Sequence, residues 1–513
     1  KSPVGKIRKK FLYLKIMMLQ YKQPSCFSNL KEACQIIKFK RNMNKFTEYK
    51  SVWLSAVFVL LFSSAVAVFG QPVYTRPTNP PPKPLLQDIQ VQPDGAKTGS
   101  SSNSMITKTG SSAAVNATKT SFPVLADVEI PGYSGILVQD LNGNVVMDDN
   151  SDLAFNPASN VKIATAYAVL KTFGPDYRFP TNFWTDGQVD TTTGTLYGNL
   201  YVSGRDPMFS YEHGVNVTHE LNRLGIQNIT GDLIVTDNFS MNRNSSSEHA
   251  ASTLLSTMDS AKRPVAANRA WQNYLVNAKR TDVVRTVPSV PISGGVYVQS
   301  LPTNAKLLFS HESAPMREII KVTLCYSNNF LAERLGDMLG GPYAVARIVQ
   351  QNAQIQPSDF YIQTASGLGT NRVTPQAMMK LLRTLQKELA RNKMTFADIM
   401  PVAGVDKGTL ERRFDTDFSR GSVVGKTGTL GNTDGGVSSL SGAMQTNKGT
   451  FFFVIFNQRG SVARFRSFQN SLVSLIQGQL GGAAPVVYTE IPPDMRLAQS
   501  RITYPNIRAR VNN

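Results

Sequence analysis

Cysteine is scarce in this chain of 513 residues: Cys26, Cys34 and Cys325 are all it has. The first two fall in a basic N-terminal stretch, so Cys325 stands alone downstream, and one thiol closes no internal disulfide. The core must hold by packing, and Cys325 reads as a small buried hydrophobe. Histidine is nearly as rare, with four scattered copies. That supply makes no ligand cluster, so neither a metal site nor a cofactor is expected. Two catalytic patterns are missing as well. There is no Gly-x-Ser-x-Gly, which sets aside a Ser-His-Asp hydrolase with that strained turn, and no Glu-x-x-Leu-Asn. Acidic residues are outnumbered 35 to 54 by Lys and Arg, for a formal charge of +19. The excess is uneven: residues 1–50 hold 13 Lys/Arg against 2 Asp/Glu. A nucleic-acid binder puts its basic stripe on the folded domain, so no nucleic-acid partner is expected.

Long apolar runs are equally few. The one in the N-terminal region is Val52–Phe62, VWLSAVFVLLF, after Lys45 and Lys50 and before the small residues Ala65-Val66-Ala67. It reads as a secretory signal peptide, with Met43 as its start and residues 1–42 as upstream sequence. The alternative is membrane association through an uncleaved anchor over 51–71, just long enough to span a bilayer. Either way the rest is exported, to the periplasm or cell envelope. Residues 71–121 are rich in Pro, Ser, Thr and Gly and cannot bury enough apolar surface to offset their ordering entropy, so they read as a linker.

Structure resumes near Phe122. GILVQDLNGNVVMDD (135–149) places two apolar runs around Asn142-Gly143, a hairpin signal. NPASNVKIATAYAVLKTFGP (156–175) reads as a buried helix that Gly174-Pro175 stops. Residues 183–300 read as β-rich, 316–339 and 374–391 as helices. SVVGKTGTL, GVSSLSGAM and GTFFFVIFN read as three strands, and 465–478 as a closing helix. The expected fold is α/β of the α+β kind: a sheet joining both ends of the domain, with helices and a β-rich insertion. The expected division is leader 1–70, linker 71–121, catalytic domain 122–182 with 301–480, insertion 183–300, and a Pro-rich tail 481–513 without an assignment.

Three short patterns carry chemistry. In Ser159-Asn160-Val161-Lys162 the spacing puts an amine within reach of a hydroxyl on one helix face. A serine becomes a nucleophile when a lysine of lowered pKa takes its proton. The bland alternative, an N-cap serine beside a surface lysine, has a counterpart in Ser28-Asn29-Leu30-Lys31. Ser327-Asn328-Asn329 sets three polar residues in an otherwise apolar helix, where each needs a hydrogen-bond partner. Lys426-Thr427-Gly428-Thr429 opens an apolar-flanked strand. Its cation and hydroxyls suit a carboxylate, and Gly428 would let backbone approach a ligand. The same Lys-Thr-Gly occurs at 97–99 and 108–110, but a floppy linker cannot hold catalytic geometry.

In that order the motifs are the signature of penicillin-recognising serine enzymes, and the chain resembles the class C low-molecular-mass penicillin-binding proteins over about Phe122–Leu480. LNRLGIQNITGDLIV (221–235), HESAPMREII (311–320), SNNFLAERLG (327–336) and PVAGVDKGTLERRF (401–414) share in the resemblance. It implies a D-alanyl-D-alanine carboxypeptidase, often also an endopeptidase, acting on peptidoglycan stem peptides and covalently inhibited by β-lactams. It implies Ser159 as acylated nucleophile and Lys162 as its base. It implies Ser327 as proton relay and Asn329 as the residue orienting Lys162. Lys426, Thr427 and Thr429 would hold the terminal carboxylate, and the N–H groups of Ser159 and Thr429 would form the oxyanion hole. Lys426 is also expected to depress the Lys162 pKa. Three departures stand out: Ser203-Gly204-Arg205-Asp206-Pro207, Thr364-Ala365-Ser366-Gly367-Leu368, and Asn328 where an Asp is common. The competing readings are a class A-like β-lactamase, which would turn penicillin over, and a non-catalytic wall-binding scaffold.

Overall fold

The computed structural model describes residues 118–505, apart from 245, 281, 282 and 284–286. The leader, the signal-like run and nearly all of the linker, with both early Lys-Thr-Gly copies, lie outside the described residues. Among the described residues no helix is long and apolar enough to cross a membrane.

The third Lys-Thr-Gly lies in a six-stranded sheet. Its strand order is Lys119–Thr120, Val145–Asp149, Tyr133–Asp140, Gly449–Gln458, Val437–Thr446, Val423–Leu430, antiparallel throughout. The expected hairpin forms where Asn142-Gly143 turns the chain. Gly143 sits at φ +100, a conformation that side-chain-bearing residues avoid. The Asp140 carboxylate accepts the N–H groups of Asn142 and Asn144 at 2.8 Å each, which ties the turn. Residues from the two ends of the domain then pair directly, Ile136 opposite Ile455.

The apolar run FFFVIF is continuous because both faces of this strand are covered. Phe452, Val454 and Phe456 pack into one core with the helices Val161–Phe173, Met316–Cys325 and Pro375–Arg391. Phe451, Phe453 and Ile455 pack into the other with Leu472, Val473 and Ile476 of the helix Val462–Gln479. Each ring removed from water stabilises by about 2 kcal/mol. The helix Val161–Phe173 is buried on every side from Val161 to Leu170, and Gly174 ends it at φ +83.

The expectation of one helix over 316–339 is corrected. Met316–Cys325 and Asn329–Asp337 are separate helices, broken at Tyr326-Ser327-Asn328, with Ser327 at φ +54. A tertiary contact occupies the break. Gly408 packs so closely that a Cβ there would lie 2.3 Å from the Cys325 carbonyl oxygen, and the Thr409 N–H bonds that same oxygen at 2.9 Å. The Asn328 side chain then caps the second helix through the Leu331 N–H.

The stretch 183–300, expected to be β-rich, also carries the helices Tyr211–Arg223, Ser247–Met258 and Val265–Asn277. Buried Ala250, Leu254 and Met258 recur every fourth residue, a helical spacing. Its strands are short. Gln188–Asp190, Thr195–Tyr197 and Asn228–Ile229 form a small sheet of their own, and the others join a mixed sheet ordered Val296–Val298, Leu233–Val235, Leu200–Gly204, Pro180–Thr185, Lys306–Glu312, Arg501–Thr503. The Pro-rich tail is therefore part of the fold as far as residue 505. Its strand Arg501–Thr503 completes that sheet, and Arg496 donates to the buried Glu318 carboxylate at 2.6 Å.

Candidate active site

Ser159 sits in a 3-10 turn, Ala158–Asn160, that leads directly into the helix Val161–Phe173. Ala158 adopts φ +47, a strained conformation held by its surroundings. Its N–H bonds the Asn156 side chain at 3.0 Å, and Asn156 donates to Gly369 O at 3.0 Å and to Asp434 at 2.8 Å. From beneath, Ser439 Oγ donates to Pro157 O at 2.6 Å. A Cβ on Gly428 would lie 2.1 Å from that hydroxyl and 2.7 Å from Pro157 O. Gly428 is thus needed for the strand to lie against the turn carrying Ser159.

Lys162 is buried, and its Nζ lies 3.0 Å from Ser159 Oγ, 2.7 Å from Asn329 Oδ1 and 2.7 Å from Ser366 O. Burial pulls the amine down to about 7, and the Glu333 carboxylate opposes the fall. A neutral amine has two N–H bonds and one lone pair. Two of its three neighbours are oxygens that can only accept, so they take the N–H bonds. The lone pair is left for the Ser159 hydroxyl, which then donates to Nζ. This is the geometry of a general base poised on a nucleophile.

Desolvation is the largest cause of the Lys162 shift. Burial first and repulsion from Lys162 second hold Lys426 well below its usual value. That repulsion is mutual, so the two buried amines disfavour a proton on each other. Lys426 is fully buried and donates to Ser327 Oγ at 2.9 Å and to Thr427 O at 2.7 Å. The helix break described above is what turns Ser327 and Asn329 towards the two amines.

The loop 364–368 departs in sequence from the family pattern but closes the site through its backbone. Gly367 stands at φ +86, where a Cβ would lie 1.9 Å from Ala158 O. Glu333 accepts the N–H groups of Ala365 and Ser366 at 3.1 and 2.9 Å, which aims the Ser366 carbonyl at Lys162.

A cleft of about 710 Å³ opens over these groups, lined by Ser159, Ser327, Asn329, Thr427 and Thr429. Seven of the eight residues expected from sequence thus meet in one place, and Gly428 supports them from below. Residues without a role in the sequence reading also reach the site: Glu333 beside the lysine, and Arg412, Arg413 and Arg466 along the wall. Cys325 lies close by but is inert, because burial pushes its thiol up to about 12.

A model of the D-Ala-D-Ala carboxypeptidase 3 (S13) family matches residues 123–276 and 287–477. The D-alanyl-D-alanine carboxypeptidase of Actinomadura sp. (strain R39) is 23% identical over 464 residues, spanning 71% of this chain and 84% of that protein. Among solved structures, the Bd3459 predatory endopeptidase of Bdellovibrio bacteriovorus matches with a TM-score of 0.59 at 25% identity, over 70% of this chain and 96% of its own. The same endopeptidase acylated by penicillin G, in complex with immunity protein Bd3460, matches at 0.61 and 24% identity over 72% of this chain and 99% of its own.

Proposed function

The chain belongs to the D-Ala-D-Ala carboxypeptidase 3 (S13) family, and from that premise we propose that Ser159 is its acylated nucleophile in the cleavage of D-alanyl peptide bonds of peptidoglycan stem peptides. Lys162 Nζ takes the Ser159 proton as Oγ bonds to the carbonyl carbon of the penultimate D-alanine. The carbon–nitrogen bond breaks, and the departing amine receives a proton relayed by Ser327. The product is an ester on Ser159. Water attacks that ester, the acid leaves, and the serine hydroxyl is restored. Asn329 orients Lys162. Lys426, Thr427 and Thr429 hold the carboxylate of the leaving residue. The N–H groups of Ser159 and Thr429 stabilise the oxyanion, a function worth roughly 100- to 1000-fold in rate per donor. A β-lactam enters the same steps but leaves a persistent ester.

The observation that carries this reading is the three-way contact of Lys162 Nζ with Ser159, Asn329 and the Ser366 carbonyl. The same reading assigns the chain to the periplasm or cell envelope, where its substrate is, with residues 1–70 as leader, 71–121 as linker and 183–300 as an insertion in the catalytic domain. Mass spectrometry of the full chain after incubation with penicillin G tests it. One adduct per chain, mapped to Ser159 and absent from Ser159→Ala, is expected. An adduct on both proteins, or on neither, refutes the assignment.

A further inference from the structure

The cleft carries more positive charge than one terminal carboxylate requires. Arg413 is half-buried, and its guanidinium donates to Asn470 Oδ1 at 2.8 Å and Gln469 Oε1 at 3.1 Å, both neutral acceptors. Burial and the nearby Arg466 draw it down to about 10. Arg466 donates to Thr429 Oγ1 at 2.9 Å, and Arg412 extends the same wall. Among the described residues, none of the three is in an ion pair, and the one carboxylate lining the cleft, Glu411, is taken by Lys407 at 2.8 Å. Arg413 is the one partly withdrawn from water, where a cation without an anion is costly; Arg412 and Arg466 are exposed, so their N–H groups stay open to an anionic ligand entering the cleft.

The Arg466–Thr429 bond shows where that ligand's charges fall. The Thr429 oxygen accepts from Arg466, so its own O–H is free to donate to the carboxylate that the proposed mechanism sets there. The remaining N–H groups of Arg466, with Arg412 and Arg413, lie on the wall of the same cleft without an anion.

We infer that these arginines select a leaving group bearing a second carboxylate, beyond the one next to the scissile amide. This rests on the proposed function, since it takes the Thr427–Thr429 side as the leaving side. Its consequence is a bias in substrate: an acidic peptide leaving from a cross-link is preferred to a single D-alanine, which makes endopeptidase work the better-fitted half of the activity.

The full-length protein and two N-acylated dipeptides test this. D-Alanyl-D-glutamate and D-alanyl-D-glutamine have leaving groups of the same size that differ in one charge. At low salt the glutamate substrate is expected to show a kcat/KM about tenfold higher, the scale of one hydrogen bond to a charged group. The ratio should fall towards one in about 0.5 M NaCl, where screening is short-ranged, and in Arg466→Gln. The wild-type ratio and its salt dependence need no variant, so a misfolded Arg413→Gln would not blunt the test. A wild-type ratio of one, with penicillin still acylating Ser159, overturns the inference and leaves the proposed function standing. A high ratio that survives in Arg466→Gln and in high salt overturns it too. Loss of the Ser159 adduct itself removes the proposed function, and this inference with it.

Discussion

Lys162 should make acylation depend on pH in a way an ordinary lysine cannot. Its amine is held at about 7, against an ordinary value of 10.5. Only the neutral form can accept the Ser159 proton. At pH 8 about nine-tenths of the enzyme is in that form, and at pH 5 about one-hundredth, so the rate should fall about 90-fold between them. The second-order rate constant for penicillin acylation, followed by mass spectrometry from pH 5 to 9.5, reads this step without interference from deacylation. It should rise about tenfold per unit at the acid end and level above neutrality. A lysine titrating at its ordinary value would give a rise continuing through pH 9, and that result would refute a base neutralised by burial. The sign can be tested separately. Glu333 raises the Lys162 pKa, so Glu333→Gln should move the inflection to lower pH. A shift to higher pH would mean the carboxylate does not act on the amine as its position implies.

Three other outcomes follow from local chemistry. Gly367→Ala puts a Cβ where the Ala158 carbonyl oxygen already sits, 1.9 Å away. The loop must retreat and carry the Ser366 carbonyl off Lys162, and acylation should slow about 100-fold, as expected for a displacement near 1 Å; an unchanged rate would show that the loop does not position the base. Asp206 is buried with Oδ2 unpartnered, and burial pushes its carboxyl up to about 7 from 3.8. The stability it contributes is fully present below pH 3.8 and lost as pH rises through about 7. Asp206→Asn should therefore match the native protein in urea unfolding at pH 4 and exceed it by about 2–4 kcal/mol at pH 8. Arg496→Ala strips the buried Glu318 carboxylate of its 2.6 Å partner and should cost about 3 kcal/mol in the same assay; a cost well under 1 kcal/mol would mean the tail is only loosely attached.

What could be read from the sequence was local. Asn142-Gly143 announces its turn by the conformations those residues accept, and Gly174-Pro175 ends a helix with no help from elsewhere. The three motifs were legible because polar groups in apolar settings need partners, and the site supplies them. The break at Tyr326-Ser327-Asn328 was not legible. It contains neither Gly nor Pro, and the segment packed against it, Gly408-Thr409, lies far along the chain. Arg413 and Arg466 were hidden for a similar reason. Arg413 falls in the stretch 401–414 and Arg466 in the closing helix read over 465–478, and only the fold brings them onto one wall. The tail's order rests on the Arg496–Glu318 bond, which spans 178 positions. Proline content gave that segment no assignment, although it completes a sheet.

The Lys162 amine shows how activity draws on the rest of the fold. Forcing a lysine from 10.5 down to about 7 makes folding near neutrality less favourable by about 4–5 kcal/mol. That is a large fraction of the stability of an ordinary domain. The nearby carboxylate that could relieve it, Glu333, is committed to two backbone N–H groups of the loop 364–368. It moderates the shift without cancelling it. The compensation must come from elsewhere, and the two cores on either face of the central sheet are placed to supply it. The helix that carries the lysine is buried on all sides in one of them. The amine's neutral state is therefore maintained largely by packing of the helix in the core, away from the cleft.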